Sequence, residues 1–337
     1  MRTTQEAVTS VWTDWEPDKE GKQFTYLKIP YSRDNSAWGS IWIPLIQYKK
    51  GKGATVLFTG GVHGGEYEGP ISLMKLAREL NIDEVNGRVI ILPCLNLPAV
   101  QAGTRVSPVD GRDLNRSFPG RHNGTVTEII AHYIHDVILP EADVVVDLHA
   151  GGQSLSLVPY ISMHYLDHEI QYRQTYEALS AFNAPYQLIM KEFSGDGLID
   201  YAVEKMGKVF LCAELGGAGI ISPYNVAITD QGIRNILKHY KVVPGDIQRL
   251  SSEPIQLYVA EQDQYIYSHG AGIFEPFKLL GDTIAKGEIV GQIHDIQDIA
   301  QAPVPYYSQC DGVLMGMRAP GLTDRGDCLG LIATREA

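Results

Sequence analysis

The run Gly60-Gly61-Val62-His63-Gly64-Gly65-Glu66-Tyr67-Glu68-Gly69 sets a histidine and a carboxylate three residues apart, where an apolar stretch gives way to a helical one. Imidazole nitrogen and carboxylate oxygen at that spacing can converge on one metal ion, and a catalytic zinc takes three protein ligands and keeps one position open. The flanking glycines let the backbone turn tightly. A His-x-x-Glu pair alone is common, and helix capping is its bland explanation. Asp147-Leu148-His149 ends another apolar run. Residues two apart on a strand face the same side, so His149 can supply a third ligand while Asp147 hydrogen-bonds a neighbour. Glu214 closes a third such run, before Gly216-Gly217. Partial burial there would raise its pKa into the range useful for proton transfer; its bland alternative is a strand-end carboxylate satisfied by backbone N–H groups. Glu68 and Glu192 are weaker candidates, because neither ends a buried strand.

Between the first two motifs, Gly103-Thr104-Arg105 leads to Asp110-Gly111-Arg112-Asp113-Leu114-Asn115-Arg116-Ser117-Phe118-Pro119-Gly120-Arg121. Arginine binds carboxylate through a bidentate fork, and Asn115 adds a neutral donor. A solvated, salt-bridged loop is the competing explanation.

The elements that must position these residues follow from periodicity. FTYLKIP (24–30) and SIWIPLIQY (40–48) read as strands around a turn. TVLFTGG (55–61), RVIILPCLN (88–96), DVVVDLHAGG (143–152), SLSLVPYIS (154–162), PYQLIM (185–190) and VFLCAELGG (209–217) read as further strands. Helical patterns fall at 69–80, 127–142, 167–182, 196–206 and 223–240. Buried strands alternating with helices predict an α/β domain with a largely parallel sheet, in which ligands bind at the carboxyl ends of strands. Three strands end there in His63, His149 and Glu214. Beyond the VPGD turn (243–246) the runs IQLYVA, AGIFEPF, EIVGQIHDI, GVLMGMRAP and LGLIA predict a small β-rich unit. The expected division is residues 1–248 and 249–337, consistent with about two domains for 337 residues.

Composition excludes several classes. Asp and Glu number 40 against 28 Lys and Arg, a net charge of −12 that disfavours nucleic acid and anionic membrane. No apolar run approaches about 18 residues, so no membrane span is expected. Residues 1–23 lack the apolar centre of a signal peptide. The four cysteines show no Cys-x-x-Cys spacing, and Cys94 and Cys212 read as core thiols. A cytoplasmic location follows by default; oligomeric state is unreadable, and a homo-oligomer stays open. His-Gly-Gly also suits a serine-esterase oxyanion loop, but no G-x-S-x-G occurs. Neither G-x-G-x-x-G after a strand nor a P-loop is present.

Taken together, H63-G-G-E66, D113-L-N-R116-S-F-P-G, D147-L-H149 and Glu214 resemble the aspartoacylase/succinylglutamate desuccinylase family of the zinc carboxypeptidase clan, over roughly residues 24–240. LKIPYSRDNSAWG (27–39), HGGEYEGP (63–70) and LNRSFPGR (114–121) are most similar to its branch of N-acetyl-L-2,4-diaminobutyrate deacetylases, which act in ectoine degradation. The resemblance implies a zinc-carboxypeptidase-like sheet flanked by helices and one Zn2+ per chain held by His63, Glu66 and His149. It implies Glu214 as general base and acid, Arg105 at the scissile carbonyl, Asn115 and Arg116 on the substrate α-carboxylate, and Asp113 orienting His63. The Arg105-to-Arg116 spacing is longer than in aspartoacylases, which leaves Arg112 as an alternative to Arg105. The substrate would be a small anionic or zwitterionic N-acyl amino acid. Rival readings are a deacylase of succinylglutamate or aspartoacylase type, a metallocarboxypeptidase, and a non-catalytic binding module. Tyr160, His164 and the segment after Gly217 are candidate lining residues. The tail resembles biotinyl/lipoyl carrier hairpins, yet Met315-Gly316-Met317 stands where the carriers have Met-Lys-Met. Covalent attachment is therefore not expected; a role at the site entrance or in assembly is.

Overall fold

In the computed structural model, which describes residues 9–191, 193 and 195–335, the chain begins with an antiparallel pair, β1 (Gly21–Pro30) and β2 (Ser40–Lys50). Then follow β3 (Thr55–Gly60), α1 (Glu68–Glu79), β4 (Gly87–Leu92), α2 (Leu97–Ala102), α3 (Val126–Tyr133), β5 (Val144–His149), β6 (Leu155–Leu157) and β7 (Tyr160–His164). Next come α4 (Glu169–Phe182), β8 (Tyr186–Met190), α5 (Ile199–Lys205), β9 (Val209–Glu214), α6 (Pro223–His239) and β10 (Ile255–Val259). The remaining strands are β11 (Tyr265–Tyr267), β12 (Gly272–Pro276), β13 (Thr283–Ile284), β14 (Ile289–His294), β15 (Val304–Tyr307), β16 (Gly312–Arg318), β17 (Leu322–Thr323) and β18 (Cys328–Ala333). No helix among the described residues is long and apolar enough to cross a membrane.

Nine strands form one mixed sheet in the order β1-β2-β4-β3-β5-β9-β7-β8-β10. β3, β5 and β9 are parallel neighbours at its centre. Every residue of β3, β4 and β5 is buried, because helices cover both faces. Alternation divides the side chains between two cores. Val56, Phe58, Val144, Val146, Val209 and Leu211 pack with Leu73, Leu76, Phe182 and Ile233 on the face of α1, α4 and α6. Leu57, Val145 and Phe210 pack with Ile130, Ile134, Ile199 and Val203 on the face of α3 and α5. A fully buried side chain of this size contributes about 1.5–3 kcal/mol.

Two expectations are corrected. SLSLVPYIS is not one strand. It divides at Pro159 into β6 and β7, and the halves join different sheets. β7 lies between β9 and β8, while β6 pairs antiparallel with β16 of the C-terminal sheet, Leu157 opposite Gly316. IQLYVA, expected in the small β-rich unit, is β10, the parallel edge strand next to β8. The two parts share a core: Leu157, Tyr160, Leu188, Leu257 and Val259 pack with Val313, Met315 and Leu331. The rest of the C-terminal segment forms two small sheets, β11-β18-β16-β13 and β15-β14-β12-β17.

Candidate metal centre and hydrolytic site

On the α3/α5 face, the row that begins apolar with Leu57, Val145 and Phe210 turns polar toward the carboxyl ends of the strands. Thr59, Asp147 and Cys212 are register partners across β3, β5 and β9, with Ser162 of β7 opposite Cys212. One step on, His149 lies opposite Glu214, and Glu214 opposite Tyr160. The alternation that builds the core thus also lines up the polar groups.

His63 and Glu66 come from the turn between β3 and α1. Gly64 makes this turn possible: a Cβ there would lie 1.8 Å from the Ala99 carbonyl oxygen of α2. Glu66 bridges two imidazoles, its Oε1 2.8 Å from His63 Nδ1 and its Oε2 2.9 Å from His149 Nδ1. The far nitrogens meet two more carboxylates, His63 Nε2 at 3.1 Å from Asp113 Oδ1 and His149 Nε2 at 2.7 Å from Asp147 Oδ2. Thr59 Oγ1 donates to the other Asp147 oxygen at 2.6 Å. One donor atom from each of His63, Glu66 and His149 lies within 4.8 Å of the others, and all three residues are buried.

Burial pushes Glu66 up, but the charges and hydrogen bonds of His149 and His63 overcome it and hold the carboxyl at about 2. Burial likewise opposes ionisation of Asp113, yet His63, Arg105 and Arg116 hold it at about 2. His149 is held well above the ordinary histidine range, because Asp147 and Glu66 outweigh its burial. Three carboxylates converging on two imidazoles call for positive charge. A two-nitrogen, one-oxygen donor set with its outer nitrogens held by carboxylates fits a divalent cation such as zinc.

Glu214 differs from the other carboxyls. Burial raises its pKa to about 7, with Glu66 adding to the rise and His149, His63 and Arg105 opposing it. Its Oε2 is buried with no hydrogen-bond partner. Glu68, in contrast, is structural: its Oε1 accepts from Ser222 N at 3.2 Å, tying α1 to the start of α6. Glu192 lies outside the described residues.

The arginine-rich loop divides. Arg105 and Arg116 line the cavity, and Arg105 Nη2 lies 3.1 Å from Asp113 Oδ2. Arg112 and Arg121 instead turn to Glu128, at 3.9 and 2.6 Å. Of the two arginines considered for the carbonyl, only Arg105 borders the cavity. Asn115 also lines it. Its Oδ1 accepts from Ile199 N at 2.9 Å, which anchors the loop to the start of α5 and leaves its amide nitrogen as the donor end.

The cavity has a volume of about 330 Å³. The anticipated lining residues Tyr160 and His164 border it, whereas none of residues 218–224 does. Cys212, read as a core thiol, packs partly buried against the core on the α3/α5 face and also borders the cavity. Sequence reasoning missed Asp200 and the far wall, where Tyr265, Gly316, Cys328 and Leu331 come from the C-terminal strands. Local pattern carries no signal for that wall, since long-range pairing through β6 brings it into place.

Comparison with known proteins identifies the family. Residues 52–240 match the succinylglutamate desuccinylase/aspartoacylase catalytic domain. The chain is 44% identical to the N-alpha-acetyl-L-2,4-diaminobutyric acid deacetylase of Halomonas elongata, over 96% of this chain and 94% of that one. Among solved structures, the product-bound ectoine utilization protein EutE of Ruegeria pomeroyi superposes with a TM-score of 0.94 at 41% identity, covering 97% of this chain and 100% of that one. A succinylglutamate desuccinylase from Silicibacter gives 0.93 at 40% identity, covering 97% and 99%. Fold and site together define a hydrolase of N-acyl amino acids. The chain belongs to the succinylglutamate desuccinylase/aspartoacylase family.

Proposed function

We propose that this chain is a zinc-dependent deacetylase of N-α-acetyl-L-2,4-diaminobutyrate, working in the cytoplasm in ectoine degradation. The observation that carries the chemistry is Glu214, a buried carboxyl with a partnerless oxygen and a pKa of about 7, in register with His149 of the His63–Glu66–His149 cluster. The acetyl-diaminobutyrate assignment draws on the relative of that name, similar along nearly the whole chain. A cavity of about 330 Å³ suits a small ligand.

His63, Glu66 and His149 would hold the metal, which when bound supplies Lewis acidity toward the amide carbonyl and toward a water. Glu214 takes the proton from the attacking water and returns it to the departing α-amine. Arg105, on the cavity wall, donates to the carbonyl oxygen as negative charge develops there. The Asn115 amide and the Arg116 guanidinium hold the α-carboxylate and thereby fix the scissile bond. Asp113 and Asp147 keep the imidazoles turned with Nδ1 inward.

The test combines metal analysis with hydrolysis of N-α-acetyl-diaminobutyrate, N-acetylaspartate, N-succinylglutamate and a dipeptide. We expect about one zinc per chain, loss of activity on chelation, and preference for N-α-acetyl-diaminobutyrate. Preference for the dipeptide would mean a carboxypeptidase, and metal-independent turnover would overturn the mechanism.

A further inference from the structure

His149, Glu214 and Tyr160 are register partners across β5, β9 and β7 and form one row along the cavity. A second row makes the far wall. Leu157 of β6 lies opposite Gly316 of β16, and Gly316 opposite Leu331 of β18. All three border the cavity. A Cβ at Gly316 would lie 2.7 Å from Leu157 Cδ2 and 3.5 Å from Leu331 Cβ, so the two leucines close over a position that has no side chain. Leu157 N donates to Gly216 O at 3.0 Å, which ties β6 to the chain two residues past Glu214. The apolar row therefore stands beside the proposed base. Packing between the two halves of the chain accounts for Val313 and Met315, which do not border the cavity. Leu157, Tyr160 and Leu331 belong to the same core and border the cavity as well.

Charge divides the cavity along the same line. The lining residues from β6 and from the C-terminal strands β11, β16 and β18 carry no carboxylate, ammonium or guanidinium. Outside the row and the metal cluster, the ionisable groups come from the arginine-rich loop, from α5 and from the segments that end β7 and β8: Arg105, Arg116, Asp200, His164 and Lys191. Resting on the reading above, in which Asn115 and Arg116 hold the α-carboxylate, we infer that Tyr160, Leu157 and Leu331 form the acyl subsite and that Leu331 limits the acyl group to a short, uncharged one. A scissile carbonyl between Glu214 and the metal ligands sends its nitrogen toward the clamp and its acyl carbon away from it. That direction leads to the apolar row. A methyl group gains there by leaving water. A longer chain meets the Leu331 side chain, and a terminal carboxylate finds no partner for its charge.

The experiment measures kcat/KM of the metal-loaded, full-length enzyme on N-α-acetyl-, N-α-butanoyl- and N-α-succinyl-L-2,4-diaminobutyrate. In wild type the acetyl substrate should lead. Leu331→Ala should raise the butanoyl-to-acetyl ratio by about tenfold or more, since one methylene that an apolar pocket accepts or refuses is worth about 10–200-fold. Leu331→Val, which trims one carbon and keeps the core filled, should raise it by about threefold or more. In both variants the succinyl substrate should stay behind the butanoyl one, because the wall gains room and no cation. A butanoyl-to-acetyl ratio within about twofold of wild type in both variants, or an equal loss on all three substrates, would overturn the inference. Hydrolysis of none of the three by wild type, or its preference for the succinyl substrate, would overturn the functional reading and the inference with it.

Discussion

His149 and Glu214 are register partners at the ends of the parallel strands β5 and β9. Their spacing is set by backbone hydrogen bonding rather than by loops, with Leu215 N donating to His149 O at 3.0 Å just beyond the pair. The proposed proton-transfer group and the proposed metal ligand are thus held on one rigid platform, as general-base catalysis requires.

Glu214→Gln preserves shape and removes the acceptor. It should lower kcat by about 10²–10⁴-fold while the bound metal stays near wild-type stoichiometry. Assays of turnover and metal content on the same preparation check this. A loss of less than about tenfold would remove Glu214 from the base role.

The pH profile should carry the same residue. Burial holds Glu214 near 7, with Glu66 reinforcing and His149 opposing. A base works ionised, so kcat/KM should fall as pH drops through this range, about tenfold per unit on the acid limb. A bound cation favours the carboxylate and moves the limb to lower pH. In the metal-free protein the same shift acts on stability. A carboxyl raised from 4.5 to about 7 on folding destabilises the native state as pH rises above 4.5. Glu214→Gln should therefore raise the Tm of metal-free protein at pH 8, and the gain should shrink by pH 5.

Asp147 is fully buried and spans Thr59 Oγ1 and His149 Nε2. Asp147→Asn should weaken metal affinity by about 10–100-fold, read by competition with a chelator.

The two candidate arginines should separate cleanly. Arg105→Ala should reduce kcat by about 10²–10³-fold. Arg112→Ala, half-exposed and facing Glu128, should stay within about twofold, as surface changes do. The reverse pattern would exchange their roles.

Gly64→Ala sets a methyl group against the Ala99 carbonyl. The turn carrying His63 and Glu66 must then move. The change should destabilise the fold by at least about 2 kcal/mol and impair metal binding, measured by denaturant unfolding with and without zinc.

The central strands were legible because each is an apolar run that stops at a polar residue beside glycine. For the same reason His63, His149 and Glu214 stood out: a polar group at the end of a buried strand has few purely structural explanations. Arg105 could not be separated from Arg112 by spacing, since the distinction rests on Glu128, which attracts Arg112 and Arg121 from a helix that the local pattern does not connect to them. The division of SLSLVPYIS and the transfer of IQLYVA to the large sheet were illegible, because strand propensity is local and sheet membership is not. Asp200 reads in sequence as an ordinary acidic residue in a first helical turn.

The pairing of β6 with β16 fixes an order of events during synthesis. The cluster of His63, Glu66 and His149 and the carboxyl of Glu214 are all translated by residue 214. The opposite wall, with Cys328 and Leu331, must wait for the last strand. A chain truncated after residue 214 would therefore hold the His63–Glu66–His149 cluster and Glu214 but lack the far wall of the cavity.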